Sequence, residues 1–499
     1  MKKYLLRIKL HYWLFAFVAL FVASCSNDDN YVIDPEVPDG CIYTEESGST
    51  LVNSGKIVIG TDEKDLVFTR YASVLKPNGW KVKKVMDCAA IVSLAFVEGE
   101  NVQDTLKSVD NTTLINKGTI EIHTKKMVEL YESMIYNPDD NADQADSYEY
   151  LRMFGICASG VNCTLVNEGL IDVYFDHDPN TPIWVYCFAM AGGEGCNMVN
   201  KGIIKFHGNG SCRTRMRGIG MLGNNAIGNN EGTIEMDVEM AEDSRMITCG
   251  SDFCTIENNG VMKGRMPGTL LGMTHYGNNT IVNNNLIDLT SVGIPEGQRS
   301  VLTDETNIVC GFYEAYNMSR TEIPPMINKG TVNIHIEGSA TMADTNQGYG
   351  MMCDMISACK KNVDIVNEGT IRVSQAGSKH YNMAEAGFIC RDGTNNAPCH
   401  ITLKDWNTTL RDFSQTHDLF LAKGVVMDFS KGVIHLNKAK RYVDGMFYSV
   451  APEHLLYNIG GDDFIYEYNG YDNLVFDNIN NQYIVNWDKE NKTISLTNK

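Results

Sequence analysis

Three arginines with alternate spacing form a compact basic motif in an otherwise acidic sequence. Arg213, Arg215 and Arg217 are separated by single residues, and residues two apart in a strand project from the same face. Guanidinium groups bind carboxylates and sulfates through planar, paired hydrogen bonds, so the motif could grip an acidic polysaccharide. It could equally pair with carboxylates of the chain itself. Trp184 and Tyr186 are predicted at a comparable position one repeat earlier, where aromatic rings could stack on sugars.

Two acidic segments carry the oxygen ligands that calcium prefers. Asp139, Asn141 and Asp143 match the first three ligand spacings of an EF-hand loop. The glycine and the glutamate that complete such a loop are missing. A solvated loop is therefore the favoured interpretation, with calcium as the alternative. The segment 176–178, Asp-His-Asp, also offers carboxylates without the remaining residues of a calcium-binding loop. We expect no other cofactor.

The residues of a polysaccharide-active enzyme do not form a compact set in the sequence. A lyase needs a strong base beside carboxylates, and a hydrolase needs two carboxylates at a set separation. His207-Gly208 is the His-Gly pair within a repeat, and no acidic residue stands at the neighbouring repeat positions. Because sites in repeat proteins assemble from several coils, a lyase or glycoside hydrolase remains the alternative to a non-catalytic binding protein.

The 15 cysteines leave three interpretations open. Cys163, Cys196 and Cys254 each precede a repeat glycine by six residues, which predicts a column. They could be buried thiols that fill the core, since free cysteine is among the most buried residue types. They could form disulfides between neighbouring coils in an oxidising compartment. A zinc site is less favoured, because neither paired Cys-x-x-Cys motifs nor a histidine cluster accompanies them.

The amino-terminal segment predicts export and lipid attachment. Basic residues precede an apolar run from Trp13 to Ala23, which is too short to span a bilayer comfortably. The segment 22–25, Val-Ala-Ser-Cys, resembles a bacterial lipobox, which implies cleavage after Ser24 and attachment of acyl chains such as palmitate to Cys25. A plain secretory signal peptide is the alternative. The polar segment 26–30 is similar to the acidic tag that directs some lipoproteins to the outer face of the outer membrane; a solvated spacer is the alternative there.

The formal net charge is -20 at pH 7, and cleavage of the signal peptide removes four basic residues, which leaves -24. Such a surface disfavours nucleic acid and anionic lipid head groups as partners. We therefore expect contact with the membrane through the lipid anchor only, and a glycan or a surface protein as the partner.

A repeat of two apolar residues, Asn, any residue, Gly, any residue and an apolar residue organises the chain. The glycines are Gly55, Gly118, Gly169, Gly202, Gly232, Gly260, Gly330 and Gly369, with Asn285 in the equivalent position. The asparagines two residues earlier are Asn53, Asn116, Asn167, Asn200, Asn230, Asn258, Asn283, Asn328 and Asn367. Repeats of this length are typical of solenoid proteins.

Each copy predicts a strand, a tight turn and a second strand whose apolar residues alternate with polar ones. Glycine tolerates positive φ, and asparagine is the next most tolerant residue, so we expect positive φ at the turn. No helix-length pattern separates most copies, which argues against β-α-β units. We therefore predict an all-β, right-handed parallel β-helix with irregular loops, in which the repeat asparagines form a ladder along one turn.

The repeat is similar to those of the β-helices in autotransporters and filamentous haemagglutinin-type adhesins, over roughly residues 49 to 436. This resemblance implies the fold and is compatible with adhesins, passive stalks and carriers of separate enzyme domains. The expected organisation is a signal peptide (1–24), a tether and linker (25–48), the β-helix (49–436) and an aromatic-rich C-terminal cap (437–499). We expect a surface-anchored, non-catalytic lipoprotein of the bacterial outer membrane that faces outward.

Overall fold

A computed structural model describes residues 41–61, 106–135 and 150–292 nearly continuously. Outside these ranges it describes the strands named below, most of them by backbone course alone. The chain forms a right-handed parallel β-helix, which confirms the predicted fold class. Each coil adds one strand to each of three parallel sheets, called A, B and C in chain order. The chain divides into unit 1 (Met1–Gly228 with Gly250–Asp252) and unit 2 (Asn229–Cys249 with Phe253–Lys499).

Unit 1 contains the first coils and one helix, with elements numbered along the chain. Sheet A has β1 (Ile42–Thr44), β5 (Gly79–Ser93), β10 (Tyr150–Ala158), β13 (Trp184–Gly192) and β16 (Thr214–Met221), with β4 (Val67–Lys76) antiparallel to β5. Sheet B has β2 (Thr50–Asn53), β8 (Thr113–Asn116), β11 (Thr164–Asn167) and β14 (Asn197–Asn200). Sheet C has β3 (Lys56–Ile59), β9 (Thr119–His123), β12 (Leu170–Phe175) and β15 (Ile203–Gly210). A short pair, β6 (Ala95–Phe96) and β7 (Leu106–Lys107), and helix α1 (Lys125–Ile135) lie between coils.

Unit 2 repeats the same order. Sheet A has β19 (Asp243–Cys249), β22 (Thr269–His275), β25 (Asn307–Glu314), β28 (Asn346–Asp354), β31 (Ala384–Arg391), β34 (Thr416–Leu421) and β39 (Leu456–Tyr457). Sheet B has β20 (Thr255–Asn258), β23 (Thr280–Asn283), β26 (Met326–Asn328), β29 (Asp364–Asn367), β32 (Cys399–Leu403), β35 (Val425–Asp428) and β40 (Tyr468–Asn469), and β17 (Ile227–Asn230) begins in unit 1 and ends in unit 2. Sheet C has β18 (Thr233–Met240), β21 (Val261–Met266), β24 (Leu286–Ser291), β27 (Thr331–Glu337), β30 (Thr370–Ala376), β33 (Trp406–Thr408), β36 (Ile434–Leu436) and β41 (Leu474–Val475).

The C-terminal strands reach past the expected end of the β-helix. Strands β39, β40 and β41 continue the three sheets beyond residue 436. Two antiparallel hairpins also form there: β37 (Tyr442–Val443) pairs with β38 (Met446–Phe447), and β42 (Tyr483–Asp488) pairs with β43 (Thr493–Asn498). The side chains of the aromatic cap predicted at 437–499 lie outside the described residues.

Alternating side chains build the core. In β12, Ile171 and Val173 are fully buried, whereas Asp172 between them is half-buried. Parallel stacking places Ile171 between Ile120 and Ile204, so identical residue types form one internal column. Full burial of each such side chain contributes about 1.5–3 kcal/mol to folding.

The repeat asparagines form buried amide ladders within each unit. In unit 1, Nδ2 of Asn53 donates to Oδ1 of Asn116, Asn116 donates to Asn167, and Asn167 donates to Asn200, each over 2.8 Å. In unit 2 the same bond joins Asn230, Asn258, Asn283 and Asn328 in succession, over 2.8–2.9 Å. Asn367 is paired with Asn328 in the strand register, and its side chain lies outside the described residues.

The repeat glycines are not explained by positive φ, and that expectation was wrong. None of them, nor Asn285, is among the described residues with positive φ. Their cause is the close approach of the preceding coil: a Cβ atom at Gly118, Gly169 or Gly202 would lie 1.9–2.0 Å from the carbonyl oxygen of the preceding turn. A carbon and an oxygen atom cannot approach so closely, so a side chain at these three glycines would force the stacked turns apart.

At Asn285, which has a side chain in this turn, one backbone hydrogen bond to the preceding coil is longer. The backbone N of Leu286 lies 3.4 Å from the carbonyl oxygen of Gly260, whereas the equivalent bond from Val261 to Gly232 measures 2.8 Å. In compensation, Nδ2 of Asn285 donates to the carbonyl oxygen of Asn259 over 3.1 Å. A side chain at this position therefore stretches the turn locally.

The described cysteines form no disulfide with one another, and most are buried. Cys163 and Cys196 lie in the predicted column, where each Sγ donates to a backbone carbonyl oxygen over 3.5 Å. Burial raises the pKa of the Cys187 thiol. The pKa of the Cys196 thiol is raised first by the hydrogen bond between Cys196 and Cys163 and then by burial. These two thiols therefore remain protonated and pack as small core side chains.

Candidate functional site

Arginines and aromatic rings meet where β13 and β16 of sheet A begin, in unit 1. Tyr186 is paired with Arg215 in the register of the two strands. The guanidinium carbon of Arg215 lies 4.4 Å from the ring centre of Trp184 and 5.1 Å from that of Tyr186. One of its nitrogens also donates to the Tyr186 hydroxyl. The two rings thus hold the guanidinium group by cation–π contact in a fixed position.

Arg213 contacts the same surface from the loop before β16. Its guanidinium carbon lies 5.7 Å from the ring centre of Trp184, and Nη1 donates to the carbonyl oxygen of Pro182. None of the carboxylates that the structure describes forms an ion pair with Arg213. A half-exposed guanidinium group without an internal counter-ion is suited to an external anion.

The three arginines do not form the row that their alternation predicted. Arg213 lies outside the strand, and Arg217 is only 4 % exposed, with Nη1 donating to the carbonyl oxygen of Met216. Trp184 is 5 % exposed, because Arg213 and Arg215 lie against its ring. Trp184 therefore supports the arginines and does not offer a free face to a sugar, and Arg217 belongs to the packing of the sheet.

Arg152 extends this surface by one coil and was not singled out from the sequence. It is paired with Tyr186 across β10 and β13, and its guanidinium carbon lies 5.7 Å from the ring centre of Phe154. The position of Arg152 follows only from the pairing of β10 with β13. The long irregular segment before Tyr150 hides this pairing in the sequence. We call Arg152, Trp184, Tyr186, Arg213 and Arg215 the arginine–aromatic patch.

The acidic segment 176–178 has a structural role. Oδ1 of Asp176 accepts hydrogen bonds from the backbone N of Thr124 over 3.0 Å and of Lys125 over 2.7 Å, so this carboxylate caps the amino end of α1. Oδ1 of Asp178 accepts from the backbone N of Asn180 over 2.9 Å, which closes a turn. Both carboxylates therefore have partners within the chain, which gives the segment a structural role.

His177 joins two loops inside unit 1. It is 2 % exposed, its Nδ1 lies 2.8 Å from Oγ1 of Thr124, and its Nε2 lies 3.4 Å from Oγ1 of Thr214. Burial lowers the pKa of His177 to about 4, against the opposing influence of Asp176 and Asp178. The imidazole is therefore neutral at pH 7 and cannot serve as a cation there.

The other candidate calcium ligands, Asp139, Asn141 and Asp143, lie outside the described residues. Among the residues that the structure does describe, no three His, Cys, Asp or Glu side chains converge as a metal site would require. Within the same residues, no helix has the length and apolar character needed to cross a bilayer.

His207 does have an acidic neighbour, contrary to the expectation from the sequence. Its Nε2 lies 2.8 Å from Oδ1 of Asp172 on the preceding coil. The strand register pairs His207 with Tyr174 and pairs Asp172 with Lys205, so the contact runs diagonally across β12 and β15. Comparison of equivalent repeat positions misses such a contact, because side chains on one sheet face also meet their diagonal neighbours.

Comparison with known proteins identifies one similarity. A family model described as the BigA third pectate lyase-like domain matches residues 25–232. This range includes the arginine–aromatic patch and the His207–Asp172 pair, and the match is consistent with the β-helix. No curated protein and no solved structure matches the chain.

Proposed function

We propose that this protein is a surface-anchored, non-catalytic β-helix that binds an acidic glycan through the arginine–aromatic patch. The observation that carries the proposal is the position of Arg213 and Arg215. Both guanidinium groups are held against Trp184 where β13 and β16 begin, and Arg213 has no carboxylate partner among the described residues. In a chain with a net charge of -20, such groups favour an external anion.

The geometry favours a polymeric anion over a small one. Tyr186 continues the patch along the stacking direction one coil before Arg215, and Arg152, which is 9 % exposed, follows one coil further. Successive coils lie about 4.8 Å apart, so binding groups recur along a line that a chain of uronic or sulfated sugars can follow. Pre-stacked guanidinium groups lose little conformational freedom on binding, which supports affinity.

Anchoring and location belong to the same proposal. The lipobox-like segment 22–25 supports lipidation at Cys25, and the polar segment 26–30 supports display on the outer face of the outer membrane. The match to a pectate lyase-like domain supports a polysaccharide as the ligand class. A surface tether places a glycan-binding face where extracellular polymers are found.

The test is binding of the purified protein to polygalacturonate, with the double variant Arg213→Ala/Arg215→Ala. We expect affinity to fall at least about tenfold, equivalent to about 1.4 kcal/mol. Arg217 is excluded from the variant because its removal would disturb the packing. The single variant Arg213→Lys keeps the charge and loses the planar guanidinium group, so its affinity should lie between that of the wild type and that of the double variant.

The matched control is Arg265→Ala in unit 2, whose guanidinium is exposed and paired with Glu337 at 2.7 Å. It removes the same charge from a different surface and should leave binding unchanged. Equal weakening by the control would show non-specific attraction. Depolymerisation of polygalacturonate with turnover by the wild-type protein would overturn the non-catalytic assignment in favour of a lyase or hydrolase.

A further inference from the structure

Sheet C of unit 1 presents a second group of polar and aromatic side chains. His123, Tyr174 and His207 occupy the same register position on β9, β12 and β15. Their rings are in contact: the ring centre of Tyr174 lies 5.7 Å from that of His123 and 4.9 Å from that of His207. Tyr174 is 37 % exposed, which is high for an aromatic residue within a sheet. We call these three residues the histidine–tyrosine row.

A carboxylate lies beside each imidazole of the row. Nδ1 of His123 lies 3.3 Å from Oδ2 of Asp176, and Nε2 of His207 lies 2.8 Å from Oδ1 of Asp172, at an angle that does not form a hydrogen bond. A carboxylate at this distance favours a proton on the facing nitrogen. The opposite nitrogen, Nδ1 of His207 and Nε2 of His123, is then left as a hydrogen-bond acceptor.

The row therefore offers an acceptor, a hydroxyl and an acceptor on three successive coils. The Tyr174 hydroxyl can donate and accept, so it complements the two imidazoles. Gly208 lies against one edge of the ring, since a Cβ atom there would be 3.0 Å from Cε2 of Tyr174. Recognition at the row would thus use hydrogen bonds at the hydroxyl end more than stacking on the ring.

The charges beside the row disfavour an acidic ligand. Glu121 and Asp172 are register partners on β9 and β12, and Lys205 follows on β15. Lys56 is engaged by Glu121 over 2.8 Å. Together with Asp176, the carboxylates outnumber the free ammonium groups, so a uronic acid would meet repulsion where an uncharged polyol would not.

We propose that the histidine–tyrosine row is a binding site for uncharged polysaccharide, distinct from the arginine–aromatic patch and on a different sheet. The sugar chain would run along the stacking direction, with its hydroxyl groups donating to the two imidazoles and exchanging a hydrogen bond with Tyr174. Coils about 4.8 Å apart bring one recognition group to each successive stretch of the polymer. One β-helix would then hold charged and uncharged glycans on separate faces.

The experiment measures retardation of the full chain in native gels that contain mannan, amylose or dextran, and separately polygalacturonate. We expect the wild-type protein to bind at least one uncharged polymer. Tyr174→Phe, which keeps the ring and removes the hydroxyl, should weaken that binding at least about fivefold, and His207→Leu should weaken it similarly. Both variants should bind polygalacturonate as the wild type does.

Two controls separate this site from the arginine–aromatic patch and from general adhesion. Phe253→Ala removes a ring that is 65 % exposed in unit 2, so it reports on non-specific contact and should bind normally. Arg213→Ala/Arg215→Ala should retain binding to the uncharged polymer even if its binding to polygalacturonate is lost. Absence of wild-type binding to all three uncharged polymers, or normal binding by Tyr174→Phe and His207→Leu, would overturn the proposal.

Discussion

Asn167 shows what one buried side chain contributes to a stack of coils. Its amide accepts from Asn116, donates to Asn200 and also donates to the carbonyl oxygen of Ile203 over 3.2 Å. Every polar atom of the side chain is thus engaged away from water. Removing it leaves partners in two coils unsatisfied, and unsatisfied buried groups cost more than the hydrogen bond itself contributed.

We expect Asn167→Ala to lower the free energy of unfolding by about 1–3 kcal/mol. The measurement is chemical denaturation followed by circular dichroism. Asn259 supplies a matched control, because its amide bonds to Asn229 and Asn284 in an exposed ladder. Asn259→Ala should cost less than Asn167→Ala, and equal costs would contradict a special role for burial.

His177 predicts a pH dependence of stability. Its pKa in the folded protein is about 4, below the ordinary value of 6.5. As pH falls, the unfolded state binds the proton first, so the stability contributed by neutral His177 is present above pH 6.5 and declines towards pH 4. The slope from this group is about 1.4 kcal/mol per pH unit within that window.

The check is the free energy of unfolding between pH 7 and 4 for the wild type and His177→Gln. Carboxylates titrate in both proteins, so the difference between the two curves isolates the histidine. As pH falls, we expect the free energy of unfolding of the wild type to decrease more steeply than that of His177→Gln, by about 1.4 kcal/mol per pH unit. Parallel curves would show that the imidazole is not held neutral in the folded state.

Residue-scale properties were partly predictable. A fixed offset between Asn and Gly is visible in the sequence, and the partners of Asn167 follow once coils stack in register. The burial of Arg217 and Trp184 was not, because it depends on which side chains of neighbouring coils cover them. The diagonal contact of His207 with Asp172 was missed for the same reason.

At the scale of the element, the two-residue turn between sheets B and C is the most constrained part of each coil. Its glycine is required by the preceding turn, whose carbonyl oxygen would lie 2.0 Å from a Cβ atom at Gly169. The constraint comes from stacking and therefore applies from the second coil onward. At Gly55, in the first coil, the nearest atom would be Oδ1 of Asn53 at 4.0 Å.

We expect Gly169→Ala to destabilise the protein by at least about 2 kcal/mol, because the turn must move away from its neighbour. Gly55→Ala places the same methyl group in the same turn with room around it and should change stability by less than about 1 kcal/mol. Thermal unfolding of the two variants provides the comparison. Equal destabilisation would imply a backbone cause rather than the close approach.

The elements themselves were predictable where period-two alternation is strong, as in β12 and β18. The sequence also predicted glycine in the turn, but for the wrong physical reason, because a sequence does not show the distance between a turn and the neighbouring coil. Helix α1 (Lys125–Ile135) depends on a contact between coils, since Asp176 of the next coil caps its amino end.

At the scale of the whole molecule, we propose that the amino-terminal segment directs the β-helix to the outer membrane. We expect Cys25→Ser to abolish metabolic labelling by palmitate, because the thiol proposed to carry the acyl chains is lost. The variant should also leave the membrane fraction. Cys212→Ser, which changes a half-buried thiol within the β-helix, is the control and should label normally. Undiminished labelling of Cys25→Ser would refute lipid attachment at this residue.

The amide ladder of unit 1 has a direction. Each Nδ2 donates towards the coil that follows it in the chain, from Asn53 to Asn116, Asn167 and Asn200. Synthesis delivers those coils in that order, and export of the chain from its amino end would do the same. Each completed turn therefore presents a donor before its acceptor has been synthesised, and the next coil satisfies it on arrival. The β-helix can therefore fold coil by coil from its amino end, with each folded coil serving as the template for the next.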